Sequence, residues 1–324
     1  MANTNGTIPK IDFAGLDPAA GAGQALWATT RAAVMDALRA HGCFEATMDG
    51  LVAPELQAAV LGPGGAVQSV YSLPASTKAR NADRSFRGFI NTMPRLAYES
   101  FGIDNPLSLD AVRTFADLMW PGSGNPDFCD SVHAYAEKLA VLEGMVRRMV
   151  LESLGATAES LEELAKSMVL HLRQSVYAAV NVEGGRLGLT SHRDFGFLAV
   201  ISQNDVDGLE VECSRGNDGW ARPLLSKRSF LVIAGDVLRV LTNGKVHSPR
   251  HHVVMAGDQD RYTSIISSYP THSSVVRPMQ EAVDAGQSAL FRPFEYGQYC
   301  KFVFDPENRE LAEKLEAFAA VSVK

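Results

Sequence analysis

A histidine and an aspartate two positions apart are the residues of this chain best suited to metal chemistry. They are His192 and Asp194, in a stretch, TSHRDFGFLAV, that is otherwise typical of a buried strand. Because residues i and i+2 of a strand share a face, both side chains are expected to reach one metal ion without distorting the backbone. An HxD triplet alone is a weak indication, since it also occurs as an incidental pair or a structural hydrogen bond.

A cluster of three histidines could supply the third ligand. The segment NGKVHSPRHHVVM contains His247, His251 and His252 at the start of another predicted strand. Two imidazoles and one carboxylate on one side of a divalent metal leave three coordination positions open, an arrangement that suits the oxygen chemistry of non-haem Fe(II). Zinc would more often bind a fourth protein ligand or hold a water for hydrolysis. The spacing favours an iron site but leaves open which of the three histidines binds.

An arginine and a threonine two positions apart follow in the segment DRYTSII. Arg261 and Thr263 are expected on one face of a strand. A buried guanidinium could pair in a two-pronged geometry with the far carboxylate of a dicarboxylic keto acid, and the threonine hydroxyl could add a donor. A surface ion pair is the commoner role of a single arginine. The order and spacing of all three signals favour a keto-acid-dependent oxygenase.

Length, composition and charge argue against several other classes of protein. The chain has 324 residues, 46% of them hydrophobic, with 30 Lys and Arg against 37 Asp and Glu and no basic block, so nucleic acid is not an expected partner. The N-terminus lacks the apolar core of a signal peptide, and the run FGFLAVI is too short to cross a bilayer, so we expect a cytoplasmic protein without a membrane partner. No CxxC pair occurs, which predicts reduced and mostly buried thiols. The cysteines are Cys43, Cys129, Cys213 and Cys300.

Two regions of different periodicity must position the candidate residues. In the N-terminal half, apolar residues recur at intervals of three and four, which predicts helices. From about Met168, short β-branched and aromatic segments between turn residues, such as FLAVIS and SFLVIAGDVLRVL, predict an antiparallel sandwich or barrel. Helical segments return around 294–303 and 306–318. The clearest helical stripe contains Val132, Tyr135, Leu139, Leu142, Val146 and Met149.

Several motifs together resemble the plant soluble 2-oxoglutarate- and Fe(II)-dependent dioxygenases. They are HxD, NDVDGLEV, a DGW turn, SFLVIAGDVLRVLTNGKVHSPRHHVV, and RxT in the usual place of RxS. Within that superfamily, HGCFEA, YSLPASTKARN, YESFGID and LMWPGSGNPDFC resemble the AOP-like branch, which contains the glucosinolate side-chain dioxygenases, and the deoxypodophyllotoxin synthase type. The resemblance covers nearly the whole chain.

The resemblance implies an α+β fold whose core is a double-stranded β-helix, or jelly-roll, with the metal inside one end. Such a core agrees with the strand pattern. A closed sandwich with one open mouth also explains ligands in hydrophobic strands, because the oxidising chemistry must be shielded from water. The predicted regions are a helical N-terminal region (1–165), a jelly-roll catalytic core (166–290) and C-terminal helices that cover the core (291–324).

The resemblance also implies the iron ligands. They would be the catalytic residues His192, Asp194 and His251, because the family's ligand histidine follows HSP after one residue. His252 stands where these proteins usually have arginine. Arg193 stands in the middle of HxD, where threonine is frequent, and alternation is expected to turn it away from the metal.

The resemblance implies a co-substrate site as well. Arg261 and Thr263 would hold the distal carboxylate of 2-oxoglutarate, and Tyr177, in LRQSVYAAV, would help to hold the same molecule. Ser175 replaces the customary asparagine two positions before that tyrosine. The implied reaction consumes O2 and 2-oxoglutarate, with ascorbate as a supporting reductant, and releases succinate and carbon dioxide. A small plant metabolite, specialised or hormonal, would be hydroxylated, O-demethylated, desaturated or closed into a ring.

Substrate specificity is expected to lie in the irregular segments and the C-terminal helix over the mouth. We expect a monomer or weak homo-oligomer with a small-molecule substrate. Three alternatives remain: an oxidase of the same fold that does not use 2-oxoglutarate, a metal-dependent hydrolase, and an inactive homologue that binds a small molecule. The predicted substrate-lining residues are Phe89, Tyr98, Phe197, Phe294 and Tyr296.

Overall fold

Helices and strands are interspersed along the described part of the computed structural model, which comprises residues 8–18, 25–82, 87–91, 98–180, 185–212, 219–226, 228–285 and 287–321. The helices there are α1 (Ala25–Ala40), α2 (Pro54–Leu61), α3 (Ala66–Tyr71), α4 (Ala75–Lys78), α5 (Leu109–Met119), α6 (Pro126–Ser153), α7 (Ala158–Ser167), α8 (Asp236–Leu241), α9 (Tyr296–Phe304) and α10 (Lys314–Ala319). The strands there are β1 (Lys10–Asp12), β2 (Cys43–Thr47), β3 (Tyr98–Asp104), β4 (Met168–Tyr177), β5 (Arg186–His192), β6 (Leu198–Gln203), β7 (Leu209–Glu212), β8 (Trp220–Ala221), β9 (Ser229–Ala234), β10 (His251–Met255), β11 (Arg261–Pro270), β12 (Val275–Val276) and β13 (Phe294–Glu295).

Two sheets form the β core. The larger has seven strands in the order β1-β2-β9-β6-β11-β4-β3, and the smaller has four in the order β5-β10-β7-β8. Strands β1 and β2 are parallel, whereas the strands around the candidate residues are antiparallel. Apolar side chains of both sheets meet in an interior cluster that includes Ile201, Leu231, Val211, Val253 and Met255. Facing sheets with helices outside them confirm the expected α+β jelly-roll.

The helices pack on the outer face of the larger sheet. Helix α6 begins at Pro126, where the Asn125 side chain accepts a hydrogen bond of 3.0 Å from the Phe128 backbone N–H, and it ends before Gly155, whose φ is +83°. The apolar stripe expected from the periodicity is buried along its whole length. Each such side chain stabilises the fold by about 1.5–3 kcal/mol. The predicted helix is therefore confirmed.

Three strands lie in the region that was predicted to be mainly helical. Strands β1, β2 and β3 form the two ends of the larger sheet. In β2, CFEAT, burial does not alternate, because the first four residues are all buried. In β3, YESFGID, the pattern was obscured by turn residues on both sides. The larger sheet thus takes strands from both sides of residue 165, and the division into three regions stays a prediction.

The segment SFLVIAGDVLRVL is not a single strand. Strand β9 ends at Ala234 and α8 begins at Asp236. A Cβ on the intervening Gly235 would clash with the backbone carbonyl of Gly196 and lie 2.9 Å from the backbone oxygen of Asp194. The chain turns at this close approach, and the apolar residues that follow are buried on a short helix.

A loop covers the outer edge of β3. Ile90 and Ser100 exchange backbone hydrogen bonds of 2.7 and 3.1 Å across that edge. A Cβ on Gly102 would clash with the backbone carbonyl of Arg87 and with the ring of His171. Glycine at this position therefore lets the loop lie flat against the strand.

The C-terminal helices differ slightly from expectation, whereas the described cysteines are mostly buried, as predicted. Between 306 and 313 only a short 3₁₀ turn forms, so α10 is shorter than the predicted helix. Cys43 and Cys129 are buried and Cys300 is half-buried, whereas Cys213 lies outside the described residues. No helix within the described ranges combines the length and apolar character needed to span a membrane.

Candidate active site

Two histidines and an aspartate converge at one end of the interior. His192 is the last residue of β5, and His251 is the first residue of β10 and its partner in register. The Nε2 atoms of His192 and His251 lie 3.9 and 3.7 Å from Oδ1 of Asp194. All three candidate ligand atoms lie within 4.8 Å of one another. Of the three histidines that the sequence left open, the structure brings His251 to the HxD pair.

Asp194 reaches this position by a turn and not by strand alternation. The stretch TSHRDFGFLAV was predicted as one strand, but β5 ends at His192 and β6 begins at Leu198 in the other sheet. The backbone oxygen of Asp194 accepts a hydrogen bond of 2.7 Å from the Asp236 N–H at the start of α8. The predicted proximity is therefore present, while its predicted cause is wrong.

Backbone carbonyls orient the two imidazole rings. The Nδ1 atom of His192 lies 2.8 Å from the Thr190 oxygen, and that of His251 lies 3.5 Å from the Pro249 oxygen. A proton on each Nδ1 leaves each Nε2 free to bind a metal. Burial, with a smaller effect from the charge of His192, lowers the pKa of His251 to about 4, so this ring is neutral at pH 7. An oriented donor set of two imidazoles and a carboxylate fits divalent iron.

The neighbouring side chains point elsewhere. His252 lies on the opposite face of β10, with Nε2 2.8 Å from Glu210 Oε2 and its ring centroid 3.9 Å from that of Trp220. Arg193, as expected, points away from the three converging atoms and forms an ion pair of 3.2 Å with Glu313. His247 is absent from the converging group. The customary arginine at position 252 is thus replaced without disturbing the candidate ligands.

A buried arginine begins β11, an interior strand of the larger sheet. Arg261 is 1% exposed, and its Nε and Nη2 atoms donate to Gln203 Oε1 at 3.2 and 2.7 Å. The guanidinium lies 5.0 Å from the centre of the Tyr177 ring, and no ion pair with a carboxylate forms within the described residues. Burial lowers the pKa of Arg261, because removing a charge from water is costly. The carboxylate of a ligand would compensate that cost.

Two hydroxyl groups next to the arginine have no partner among the described residues. They are Thr263 Oγ1 on β11 and Ser175 Oγ, which stands opposite it on β4. Both residues are fully buried. Unpaired buried hydroxyls beside a buried guanidinium fit the distal carboxylate of 2-oxoglutarate. Ser175, in place of the customary asparagine, keeps a hydrogen-bonding group at this position.

The two groups of residues face the same interior. His251, Val253 and Met255 alternate along β10, so they share a face. Val253 and Met255 pack in the interior cluster with Tyr177, which contacts Arg261. The converging histidines and the buried arginine therefore border one space between the sheets.

The predicted substrate-lining aromatics lie in different places. Tyr98 lies beside the ring that contacts Arg261, with its ring centroid 5.0 Å from that of Tyr177. Tyr296 is the first residue of α9 and is fully buried. Burial, and then the neighbouring Cys300 and Tyr269, raise the pKa of its hydroxyl well above the usual value.

Three of the residues predicted to line the substrate site pack in hydrophobic clusters, and their contact with a substrate stays a prediction. Phe197 and Phe294 belong to the core between the larger sheet and the helices, and Phe294 packs against Phe318 at a centroid distance of 5.3 Å. Phe89 packs in a separate cluster with α5 and α6, 5.7 Å from the Lys78 ammonium. Core packing accounts for these aromatics, since residue type alone does not distinguish a core position from a pocket.

A polar wall on β4 was only partly recognised from the sequence. His171, Arg173, Ser175 and Tyr177 alternate in HLRQSVY and share the interior face. His171 Nδ1 lies 2.8 Å from Asp104 Oδ1, on β3. The period-two pattern of polar residues was the available signal, but only the last two residues matched a known motif.

The mouth also contains an aromatic group that sequence reasoning missed. Tyr269 stacks on Phe195 at 5.3 Å and lies 5.5 Å from the Arg87 guanidinium. Burial, and then the charge of Asp194, raises the pKa of Tyr269, whereas Arg173 and Arg87 lower it. The charges of a candidate metal ligand and of two arginines therefore act on the tyrosine hydroxyl.

Comparisons with known proteins agree with this geometry. Residues 167–267 match the family described as the 2OG-Fe(II) oxygenase superfamily. The chain is 35% identical to the probable 2-oxoglutarate-dependent dioxygenase AOP1.2 of Arabidopsis thaliana. The alignment spans 319 residues and covers 97% of this chain and 96% of the relative. The crystal structure of a dioxygenase for auxin oxidation in rice is 27% identical, with a TM-score of 0.78 over 97% of this chain and 100% of that one. The same fold occurs in dioxygenase for auxin oxidation 1 of A. thaliana, in a binary complex with 2-oxoglutarate, at 22% identity and a TM-score of 0.74 over 87% and 99% of the two chains. With these relatives and the converging His-Asp-His group, the chain belongs to the 2OG-Fe(II) oxygenase superfamily.

Proposed function

We propose that this 2-oxoglutarate-dependent dioxygenase binds Fe(II) through His192, Asp194 and His251 and binds its co-substrate through Arg261 and Thr263. The observation that carries the proposal is the convergence of the three donor atoms within 4.8 Å, beside the same interior as a fully buried arginine. When bound, iron with 2-oxoglutarate and O2 supplies the oxidising power, and succinate and carbon dioxide are released.

The chain's own residues bind and orient the co-substrate. Arg261 would pair with the distal carboxylate, and the hydroxyls of Thr263 and Ser175 would donate to it. Gln203 fixes the guanidinium plane through two hydrogen bonds to Nε and Nη2. Tyr177 covers the guanidinium with its ring at 5.0 Å and helps to exclude water.

We propose that the primary substrate is a small plant metabolite, specialised or hormonal, that carries an acidic group. Apart from Asp194, which would bind the metal, the charged groups near Tyr269 and His171 among the described residues are the guanidinium groups of Arg87 and Arg173 and the carboxylate of Asp104, a balance that supports an anionic substrate. The aromatic pair of Phe195 and Tyr269 offers an apolar surface beside them. Because the rice structural relative is named for auxin oxidation, indole-3-acetic acid is the first compound to test.

Succinate formation tests the proposed function. Wild type, His192→Ala and Arg261→Ala would be assayed in air with Fe(II), ascorbate and 2-oxoglutarate against plant phenolics, indoles and hormones, each acid paired with its neutral amide. Turnover that is stimulated by one class of acid and lost in both variants is the expected result. Equal turnover of acid and amide would contradict the acidic substrate and leave the dioxygenase assignment intact.

The same assay separates the alternative functions. An oxidase would form product without 2-oxoglutarate, and a hydrolase would form product without oxygen. An inactive binding protein would bind metal and ligand without consuming 2-oxoglutarate. The intact group of three donor atoms supports the dioxygenase over the inactive homologue.

We further propose a cytoplasmic monomer or weak homo-oligomer that binds neither nucleic acid nor membranes. The formal charge of −7, with no basic block in the sequence, supports this proposal. Sedimentation velocity and localisation of the tagged chain are the direct measurements. A stable dimer at micromolar concentration would contradict the expected oligomeric state.

A further inference from the structure

One carboxylate joins the two chain segments that carry the candidate metal ligands. Arg193 stands between His192 and Asp194, and its Nη2 lies 3.2 Å from Glu313 Oε1. Arg250 immediately precedes the other ligand segment, and its Nη2 lies 2.7 Å from the same oxygen. Glu313 is distant in sequence from both, 120 residues beyond Arg193. The C-terminal segment therefore bridges the two halves of the site.

Further hydrogen bonds hold the same two arginines in place. Arg193 Nη1 donates to the Ser248 backbone oxygen, and Arg250 Nη2 also donates to the Ala312 backbone oxygen at 3.1 Å. The side chains of Arg193 and Arg250 are only 14% and 29% exposed. A network of partly buried charges has a fixed geometry that an isolated surface ion pair lacks. Glu313 is held in turn by the packing of α10, whose Leu315 is buried.

Strand pairing alone does not fix the relative position of the two segments that carry the candidate metal ligands. Strands β5 and β10 pair at His251 and His192, but the register shifts directly after His251, between it and Val253. Two arginines that approach one point repel each other unless an anion lies between them. Glu313 contacts both guanidinium groups and supplies that anion where the ladder is irregular, whereas the Glu212 carboxylate lies farther from Arg193, at 3.9 Å, and accepts only from the backbone N–H of Arg250, at 3.4 Å.

We propose that Glu313 is a positioning residue, which fixes the separation of the two ligand segments and so sets the metal affinity of the apo protein. This inference rests on the proposed iron site. It assigns to the C-terminal segment a part in the assembly of the metal site, in addition to covering the core. Residues that hold metal ligands in place typically change metal affinity by about 10- to 100-fold when replaced.

Titration of the full-length apo protein with Co(II), followed by its visible absorption, tests the proposal without turnover. We expect Glu313→Gln to bind Co(II) about 10-fold more weakly than wild type and to show an altered absorption spectrum. Glu313→Asp, which keeps the charge, should recover part of the affinity. Arg250→Gln removes the same bridge from the other side and serves as a second variant if Glu313→Gln does not fold.

Glu316→Gln is the matched control. It breaks the ion pair between α10 and Arg239, which does not involve the ligand segments. Unchanged Co(II) affinity in Glu313→Gln, or an equal loss in both variants, would overturn the proposal, because the latter would reflect only the docking of α10. Failure of the iron site itself would be seen separately, as equal Co(II) binding by wild type and His192→Ala.

Discussion

The metal end and the co-substrate end of the proposed active site are built by different means. At the co-substrate end, Arg261 and Thr263 are almost fully buried on a strand whose residues stay in regular register with β4 from end to end. At the metal end, the side chains of His192 and Asp194 are 36% and 30% exposed, at the end of a strand and in the turn after it. Regular pairing therefore fixes one end, whereas contacts from α8 and the C-terminal segment fix the other.

This difference indicates where the site tolerates change. A residue within a regular ladder keeps its position even when its own side chain is replaced, so a substitution there removes one interaction. The metal end depends on Asp236 and Glu313, neither of which is a ligand. We therefore expect substitutions at a distance to affect metal binding more than 2-oxoglutarate binding.

The largest effect is expected at the metal end. His251→Ala removes one of the three donors, so we expect Co(II) and Fe(II) binding and the formation of succinate to fall below detection. His252→Ala is the control, since that ring contacts Glu210 and Trp220 on the other face of β10. Comparable losses in the two variants would show that the wrong histidine had been assigned.

The next largest effect is expected at the co-substrate end. Arg261→Ala leaves the distal carboxylate of 2-oxoglutarate without its partner, which costs at least about 2 kcal/mol, or roughly a 30-fold rise in KM. Metal affinity should change little, because the two ends are fixed independently. Arg222→Ala, which breaks an exposed pair with Glu210, is the control. A large loss of Co(II) affinity in Arg261→Ala would contradict the claim that the two ends are fixed independently.

A smaller effect is expected at the ring beside the arginine. Tyr177→Phe keeps the ring face over Arg261 and removes only the hydroxyl, so KM for 2-oxoglutarate should rise by about 2- to 10-fold, the equivalent of one hydrogen bond. Steady-state kinetics at saturating substrate give this value. An unchanged KM would mean that the ring alone contributes to the site.

The smallest effect concerns stability and the polar wall. Burial lowers the pKa of His171 in spite of its hydrogen bond to Asp104. The imidazole therefore binds a proton less readily in the folded chain than in the unfolded chain. Above pH 6.5, His171 therefore does not reduce the free energy of unfolding. As the pH falls below that value, the free energy of unfolding decreases. His171→Gln should lose less stability than wild type between about pH 7 and 5, measured by urea unfolding.

A control for the pH experiment is His133→Gln, a replacement near the surface of α6. Comparison with it separates the effect of His171 from the effect of removing any one histidine. The stabilising effect of the lowered pKa of Asp104 is lost only at more acidic pH, so it does not contribute within this window. Identical pH profiles for wild type and His171→Gln would contradict the assignment.

The co-substrate end could be predicted from the sequence because strand alternation is local information. Arg261 and Thr263 lie where their spacing placed them, and Tyr177 stands opposite Arg261 in register. The metal end was predicted less completely. The proximity of His192 and Asp194 was correct, but it results from the close approach of Gly235 to the turn, a contact between distant segments that no local pattern encodes.

Long-range contacts explain the other omissions. Glu313 lies 120 residues from Arg193, and nothing in its own neighbourhood indicates a part in the metal site. Phe197 and Phe294, which are predicted to line the substrate site, pack in a core cluster, because hydrophobic type predicts burial but not which side of a sheet is contacted. Strand β2 was missed because it is buried on both faces and so does not alternate.

Gly102 allows a loop to pack against β3, and this packing affects how the protein behaves at high concentration. A sheet that ends in a bare strand offers its backbone N–H and C=O groups to any other chain, and strand-by-strand aggregation begins at such places. Here the backbone N–H and C=O groups of Ser100 form hydrogen bonds with Ile90, and the carbonyl of Arg87 lies directly over Gly102. Any side chain at position 102 would lift this cover, and the enzyme would then be expected to lose solubility before it loses catalysis.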